Sequence, residues 1–371
     1  MSERIRLAVP SIDDADCEAV VRVLRSGMLV QGAEVAAFEA RLAELVGVAH
    51  AVAVVNCTAA LHLSLVALGV GPGHRVAVAT YSWPSTVNAV YLSGAEPVFV
   101  DADPTTGNMD PARLREVLER TEVAAVLPVH TFGRMADMVA LTRCCDDASV
   151  PLLEDAACAL GASLGERAAG SWGRAGCFSF HPRKAITTGE GGAVTTDDAA
   201  LADRLRRLRN HGLDPHAAAP DFVEAGYNLR LTEFQAALGG TQLDKLDRLV
   251  AARREAAARY DTLLSGTAVT PPRLAPEPSA HVYQSYVASL PAAAAPRRAE
   301  VLAHLREQGI EATIGTYHQP LITHVAARTG HRPGDFPATD DVAARAVSLP
   351  LFEGISPGQQ ARVVDTLLGA L

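Results

Sequence analysis

The chain has 371 residues, of which 49% are hydrophobic and 20% are charged, and its formal net charge is -9 at pH 7. This composition is ordinary for a globular protein and excludes a largely disordered chain, and the length suits two domains better than one compact core. The acidic balance argues against a nucleic-acid binder. The nearest approach to a basic patch is the arginine run Arg204–Arg209, which is typical of the solvated face of a helix.

Cysteine and hydropathy patterns point to a reducing compartment. The cysteines Cys17, Cys57, Cys144, Cys145, Cys158 and Cys177 form no CxxC pair, and neither a secretory leader nor a long apolar run is visible. We therefore expect a cytoplasmic, soluble protein with reduced thiols and no membrane partner. The 12 histidines lack the spacing of metal ligands, so we expect no metal site.

Short valine-rich runs alternate with helical patterns over residues 34–210. The runs are typical of buried strands, and the intervening segments are typical of helices. This alternation predicts an α/β fold with a large, mixed but mostly parallel sheet flanked by helices. The predicted strands are Ala51–Val55, Arg75–Thr80, Glu96–Val100, Ala124–Val129, Val150–Glu154, Gly176–Phe180 and Gly192–Thr196. The predicted helices are Thr58–Leu68, Ser85–Leu92, Asp110–Glu119 and Ala136–Asp146.

After residue 240 the pattern becomes α+β. It predicts a long helix over Gln242–Leu264, a strand over Val282–Leu290, and helices over Pro296–Gln308, Asp340–Ala346 and Pro357–Leu368. We therefore predict a large α/β domain over residues 15–245, which carries the ligand-binding site. A smaller C-terminal α+β domain follows over residues 246–371, and residues 1–14 pack near it.

Two adjacent carboxylates, Glu154 and Asp155, end a predicted buried strand. An ionised carboxylate at that depth is costly unless a cation meets it. A helix N-cap or a salt bridge would explain the pair structurally. The functional alternative is that Asp155 faces the protonated ring nitrogen of a bound cofactor.

Three further features follow predicted strands. Lys184 precedes the glycine-rich segment Thr187–Gly192. Desolvation is expected to lower the pKa of its amine, which suits a Schiff base. The alternative is an ordinary loop lysine on the surface. A helix begins near Thr58, just after Asn56. The start of this helix is either a phosphate site or an ordinary N-cap. Trp83 either stacks on a planar ligand or belongs to the core. All lie at carboxyl ends of strands, where open α/β sheets bind ligands.

Six motifs then follow one another in a fixed order: NxTAALHL (Asn56–Leu63), EDAA (Glu154–Ala157), SFHxxK (Ser179–Lys184), TTGEGG (Thr187–Gly192), NHG (Asn210–Gly212) and YNxRxTEFQAA (Tyr227–Ala237). In this order they resemble the DegT-type sugar aminotransferases, which are pyridoxal 5′-phosphate (PLP) enzymes of fold type I. The pair SFHxxK and TTGEGG is the most specific element, and the resemblance covers nearly the whole chain.

The resemblance implies specific roles for residues near the cofactor ring. Lys184 would hold PLP as a Schiff base and shuttle protons, Asp155 would face the pyridine nitrogen, and Trp83 would stack on the ring. Cys158 stands where the family commonly has His or Gln near the phenolic oxygen of the cofactor. Cysteine is a weak hydrogen-bond partner, so the electronics or tilt of the ring would differ here.

The resemblance also implies contacts with the phosphate, a second subunit and the substrate. The phosphate contacts would be Thr58, Ala59, Ser179 and, from the neighbouring subunit, Asn228. This arrangement implies a homodimer with shared active sites. A looser match in the C-terminal part places Tyr317, His318 and His324 near the substrate.

The implied reaction is a ping-pong transamination from L-glutamate to the keto group of a nucleotide-linked keto-sugar, as in amino-sugar and antibiotic biosynthesis. A cyclitol ketone of the inosose type is the alternative acceptor. A PLP lyase or dehydratase and a non-catalytic PLP-binding regulator are alternatives on the same fold. Lys184 argues against the dehydratase branch, in which histidine replaces the lysine, and the retained Asp155 and Lys184 argue against a regulator.

Overall fold

The computed structural model describes residues 4–272 and 279–371, so residues 1–3 of the predicted N-terminal segment lie outside the described part. Its strands are β1 His50–Val54, β2 Arg75–Ala79, β3 Tyr81–Ser82, β4 Glu96–Val100, β5 Ala125–Leu127, β6 Leu153–Asp155, β7 Ser163–Leu164, β8 Arg167–Ala168, β9 Ala175–Ser179, β10 Gly192–Thr196, β11 Ser279–Ala280, β12 Tyr286–Ser289, β13 Thr313–Ile314, β14 Tyr317–His318 and β15 Ala346–Leu349.

Thirteen α-helices are found in the described ranges: α1 Asp14–Ser26, α2 Ala33–Val46, α3 Cys57–Ala67, α4 Ser85–Leu92, α5 Pro111–Arg120, α6 Met138–Ala148, α7 Ala199–Arg209, α8 Glu233–Asp244, α9 Leu246–Leu264, α10 Arg298–Glu307, α11 Thr323–Thr329, α12 Pro337–Arg345 and α13 Pro357–Gly369. Short 3-10 helices span Thr131–Gly133, Ala292–Arg297 and Gln319–Leu321. None of the helices in the described part is long and apolar enough to cross a membrane.

The central sheet has the spatial order β4-β2-β5-β6-β9-β10-β1. Isolated bridges Val126–Leu152 and Val129–Asp155 join β5 to β6 in parallel. Only β10 runs against its neighbours, because it returns from β9 through a loop instead of a crossover helix. The predicted mixed, mostly parallel sheet is confirmed, and the β9–β10 loop lies at the same edge as the carboxyl ends of β6 and β9.

Buried side chains cover both faces of this sheet. Along β1, Ala51 and Ala53 belong to the cluster under α2, α6 and α9, whereas Val52 and Val54 belong to the cluster under α3, α4 and α7. Successive strand residues point to opposite faces, and both faces are buried. The strands therefore read as continuous apolar runs, which is why they were recognisable in the sequence.

A third cluster combines residues of α9, β12, β15, α10 and α13 with Ile5. Ile5 forms a parallel bridge with Ile310, and Leu351 N donates to Leu7 O at 3.0 Å. Residues 5–7 thus contact the C-terminal part of the chain. The domain boundaries at 15–245 and 246–371 stay a prediction.

Two expectations about the helices are wrong. The long helix over Gln242–Leu264 is divided at Lys245 between α8 and α9. Arg209 does not belong to a solvated face of α7, because it is buried, donates to Ala53 O at 2.7 Å and pairs with Glu39, whereas Arg204, Arg206 and Arg207 are partly exposed. Tertiary partners, invisible in a local pattern, decide the case of Arg209.

The predicted strand Val282–Leu290 is also shorter than expected, because β12 begins only at Tyr286. Tyr283 has φ of 47°, a left-handed conformation that residues other than glycine adopt rarely. The chain therefore turns sharply before the strand begins. This turn lies beside the cavity described below.

Gly192 begins β10 and packs against the backbone of Asn56 and Cys57, where an added Cβ would lie 2.4 Å from Asn56 C and 2.6 Å from Cys57 N. We expect Gly192→Ala to lower the free energy of unfolding by about 1–3 kcal/mol, because backbone atoms cannot move aside as a side chain can. Urea unfolding measures the loss. Gly71→Ala is the control, since its nearest atom, Ser93 O, lies 3.6 Å away. Equal losses in the two variants would contradict the expectation.

Candidate active site

A cavity of about 630 Å³ opens at the carboxyl edge of the central sheet. It brings together side chains from β6, the β9–β10 loop, the start of α3 and the C-terminal part of the chain. The lining includes six of the residues selected from the sequence: Thr58, Trp83, Asp155, Cys158, Ser179 and Lys184.

Lys184 lies in the loop between β9 and β10, and the hydrogen bonds of this loop fix its shape. Lys184 N donates to His181 O at 2.8 Å, and Phe180 N donates to Gly191 O at 2.9 Å. Thr187 closes the loop with its hydroxyl, which donates to Phe180 O at 2.9 Å. The glycine-rich segment therefore serves as the return of a hairpin that holds the lysine at the sheet edge.

The Lys184 amine donates to Cys158 Sγ at 3.1 Å. Burial lowers the pKa of Lys184, but the nearby Cys158, Cys57 and Asp155 raise it further, so the net direction is upward. The expectation that desolvation lowers the pKa of this amine is wrong for the cofactor-free chain. The neighbouring acidic groups outweigh burial because they stabilise the ammonium form.

Asp155 is buried at the end of β6, and burial raises its pKa. Thr86 Oγ1 donates to Asp155 Oδ2 at 2.7 Å, and Ala157 N donates to Asp155 Oδ1 at 3.2 Å. Because Thr86 uses its hydrogen on the carboxylate, Ser82 must donate to Thr86 across their 2.8 Å contact. Among the described residues, no Lys or Arg forms an ion pair with Asp155. A protonated ring nitrogen would therefore supply the cation that this buried carboxylate lacks.

Glu154 has a different role from its neighbour. Its carboxylate accepts from Gly170 N, Trp172 N and Gly173 N at 2.7–2.9 Å, and lies 2.9 Å from His130 Nε2. His130 Nδ1 accepts from a backbone N–H, so Nε2 carries a hydrogen and donates to Glu154. The four donors compensate the buried charge, and Glu154 serves the fold.

The N-terminus of α3 meets the cavity at Thr58. Asn56 caps this helix, and its Oδ1 accepts from Ala59 N at 2.9 Å. The N–H groups of Cys57 and Thr58 precede the first intrahelical hydrogen bond and are free for a phosphate. Ser179 lines the same cavity. These donors fit the phosphate of PLP, whereas the Ala59 N–H is already used by the cap.

Trp83 is 58% exposed and lines the mouth of the cavity, so its indole is available to a planar ligand. Tyr317 contacts its edge, with ring centroids 5.3 Å apart. Together with the Lys184 amine and the Asp155 carboxylate, this ring provides what a PLP ring requires: a covalent anchor, a partner for the ring nitrogen and an aromatic cover. The described residues therefore fit the cofactor.

The remaining predicted residues lie outside the described lining of the cavity. His318 Nε2 lies 3.1 Å from Asp340 Oδ1, and His324 Nε2 lies 2.9 Å from Asn88 Oδ1. Asn228 is exposed on the surface and pairs with Asn210 through a β-bridge. The roles given to Asn228 and to the two histidines stay predictions, as does the substrate contact of Tyr317.

One sequence signal for the site was overlooked. The chain contains only two lysines, Lys184 and Lys245, among 33 basic Lys and Arg residues. Lys245 forms ion pairs with Asp13 and Asp16, which leaves Lys184 as the amine that faces the cavity. Thr86 was also missed, because only the folded chain brings it to Asp155.

Two neighbours of Lys184 also line the cavity. Burial lowers the pKa of His181, Glu190 opposes this shift, and Lys184 and Arg183 add to it, so the net direction favours the neutral imidazole. Arg183 is exposed at the rim. Among the described residues, no cluster of three or more His, Cys, Asp and Glu side chains is arranged to hold a metal ion.

A family model described as the DegT/DnrJ/EryC1/StrS aminotransferase family matches residues 10–368. The chain belongs to this family. The expected family and the fold-type I class are thereby confirmed, as are PLP dependence and aminotransferase activity. Fold, cavity and family agree on one class of enzyme.

Individual members of the family resemble the chain over nearly its full length. It is 37% identical over 353 residues to a pleiotropic regulatory protein of Geobacillus stearothermophilus, covering 93% of this chain and 91% of that protein. It is 35% identical over 371 residues to the GDP-perosamine synthase of Caulobacter vibrioides, covering 98% of this chain and 97% of that protein. The structure of Helicobacter pylori PseC, an aminotransferase involved in the biosynthesis of pseudoaminic acid, superposes with a TM-score of 0.93 at 27% identity, covering 99% of each chain.

The different environments of Glu154 and Asp155 predict opposite effects on stability. Glu154→Gln should lower the free energy of unfolding of the cofactor-free chain by about 3 kcal/mol or more, because an amide cannot accept from all four donors. Asp155→Asn should match or exceed the parent at neutral pH. Burial raises the pKa of Asp155, so its ionised form opposes folding and stability falls as pH rises through that pKa.

Thermal unfolding of the cofactor-free proteins between about pH 5 and about pH 8 checks both expectations. The advantage of Asp155→Asn over the parent should shrink as the pH falls and Asp155 takes up its proton. Equal destabilisation of the two variants would show that Asp155 is as well compensated as Glu154.

Proposed function

We propose that the chain transfers an amino group from L-glutamate to the keto group of a nucleotide-linked keto-sugar by ping-pong transamination. The observation that carries the proposal is the meeting of Lys184, Asp155 and Trp83 in one cavity. The names of the GDP-perosamine synthase of C. vibrioides and of PseC of H. pylori support a sugar acceptor.

PLP supplies an aldehyde that condenses with amines and a ring that withdraws electrons from the reacting carbon. The Lys184 amine would anchor the cofactor and, when free, would take the proton from the α-carbon of the donor and deliver it in the transfer. The buried carboxylate of Asp155 would hold the proton on the ring nitrogen. Thr86 and Ser82 orient that carboxylate through their chain of hydroxyl hydrogen bonds.

The remainder of the lining suits a polyhydroxylated acceptor. Hydroxyl groups face the cavity from both parts of the chain, and hydroxyls both donate and accept hydrogen bonds. The side chains concerned are Ser82, Ser85, Thr131, Ser285, Thr313, Thr316 and Ser348. Arg183 adds a positive charge at the rim and forms no ion pair among the described residues, which suits the phosphates of a nucleotide.

We further propose a homodimer with shared active sites. Asn228 is exposed, as are the apolar side chains of Phe222, Val223 and Tyr227 that precede it in the chain. Exposed apolar residues close together in this way favour a subunit interface. A second copy seated there would bring Asn228 towards the phosphate site of its partner.

One alternative has a specific observation in its favour. The relative from G. stearothermophilus is named a pleiotropic regulatory protein, so a PLP-binding regulator is the second candidate. The presence of both Lys184 and Asp155 favours the enzyme, because binding alone needs no proton shuttle.

Absorbance of the purified chain with PLP tests the first half-reaction. We expect a visible band of lysine-linked PLP, which L-glutamate converts to the near-ultraviolet band of the aminated cofactor. Lys184→Ala should fold but lose turnover by at least about a hundredfold, because proton transfer by a positioned side chain contributes about 10²–10⁴-fold. Normal turnover in that variant would contradict the mechanism.

Borohydride reduction followed by peptide mass spectrometry locates the link. With two lysines in the chain, Lys245 is the internal control. Modification of Lys184 alone is expected. A band that ignores glutamate would point to another amino donor or to a lyase.

Arg183→Gln separates a nucleotide-linked acceptor from a cyclitol ketone. If Arg183 binds the phosphates, its loss should raise KM for a nucleotide-linked keto-sugar by about tenfold, since a charge-assisted hydrogen bond is worth about 1.5–3 kcal/mol. The KM for an inosose-type ketone should not change. Steady-state kinetics with both acceptors measures this, and an unchanged KM for both would remove Arg183 from substrate binding.

Subunit complementation tests the shared site. Lys184→Ala and Asn228→Asp should each be inactive, the second because a carboxylate repels the phosphate. Refolding an equal mixture of the two variants should restore about a quarter of the parental activity. About half of the dimers then contain one copy of each variant, and one of the two active sites in each such dimer is intact. No recovery in the mixture would indicate that each active site is built from one chain.

A further inference from the structure

Arg253, in the middle of α9, is a buried cation with no carboxylate partner in the described ranges. It is 4% exposed, and burial lowers its pKa to about 10. Its guanidinium donates to three backbone carbonyls: Lys184 O at 3.2 Å, Gln284 O at 3.1 Å and Tyr283 O at 3.4 Å. Among the described residues no carboxylate pairs with it. Burying such a charge is costly, and the three carbonyl dipoles are its only compensation there.

The three carbonyls belong to two segments of the chain that border the cavity. Lys184 lies in the β9–β10 loop, whereas Tyr283 and Gln284 form the left-handed turn before β12. Gln284 Nε2 also donates to Arg183 O at 3.1 Å, and Gln284 N donates to Phe132 O at 3.0 Å. The Arg253 side chain therefore connects the lysine loop to the turn before β12.

We propose that Arg253 is a positioning residue that fixes the main chain of Lys184 and thereby aims its amine. The inference rests on the proposed role of Lys184 as the covalent anchor. The position of the lysine backbone sets the origin of a long, flexible side chain. A displacement of about 1 Å at a reacting group can cost about a hundredfold in rate.

Arginine suits this task better than other residues. Its planar group offers five N–H donors in a fixed fork, so that carbonyls from two separate segments are bound at once. Lysine would place three donors around a single point and could not span the same acceptors. Methionine has a similar length but offers no donor.

The adjacent Arg254 provides a matched control. It lies on the same helix, and its Nε donates to His281 O at 2.9 Å, with no contact to Lys184. Arg254→Met therefore removes an arginine hydrogen bond to a carbonyl from the same helix but leaves the lysine loop untouched.

The experiment uses the full-length chain and adds PLP to the cofactor-free parent, Arg253→Met, Arg253→Lys and Arg254→Met. The rate at which the visible band forms and the fraction of Lys184 trapped by borohydride are measured for each. We expect Arg253→Met to form the link at least about tenfold more slowly. Arg253→Lys should fall in between, and Arg254→Met should match the parent.

Thermal unfolding of the cofactor-free variants separates positioning from folding. A residue that only stabilises the fold would lower the melting temperature and leave the rate per folded molecule unchanged. If Arg253→Met does not fold, Arg253→Lys decides, and a parental rate in it would overturn the inference. A parent without the visible band would overturn the proposed function together with this inference. A parent with the band and Arg253→Met at the parental rate would overturn this inference alone.

Discussion

The site depends on how two adjacent buried carboxylates are compensated. Glu154 and Asp155 follow each other in β6, so their side chains point to opposite faces of the sheet. Glu154 meets four donors from the protein, whereas Asp155 meets a hydroxyl and one backbone N–H. The first carboxylate is satisfied by the fold. The second is left with a charge that the cofactor can neutralise.

The remaining parts of the site are arranged around Asp155 by the topology of the sheet. Because β10 returns directly from β9, their loop must lie at the edge where β6 ends, and this places Lys184 near Asp155. Gly192 allows β10 to pass close to Asn56 and Cys57, so the N-terminus of α3 reaches the same edge. The residues proposed as covalent anchor, ring-nitrogen partner and phosphate site thus meet without any long loop.

Much of this arrangement could be predicted from the sequence, because it depends on local patterns. The central strands are short and mostly apolar, Asp155 ends one of them, and Lys184 lies in the loop that follows another. The features that were missed depend on distant partners. Thr86 contacts Asp155 across 69 positions, and Arg209 is buried because Glu39 and the carbonyl of Ala53 meet it from far away in the chain. The left-handed turn at Tyr283 is held in the same way, by the stacking of His281 at 3.9 Å and by Arg253.

The charges around the cavity also explain why an arginine-rich chain uses lysine at this point. An arginine is too basic to lose its proton and condense with an aldehyde, whereas a lysine amine can do both. Burial lowers the pKa of Lys184, whereas the nearby Cys158, Cys57 and Asp155 raise it, and the net upward direction keeps the amine protonated in the cofactor-free chain. A protonated cofactor ring beside Asp155 would supply a second cation there. That cation would oppose the ammonium form of Lys184 and favour the neutral amine, which is the form that can condense with an aldehyde.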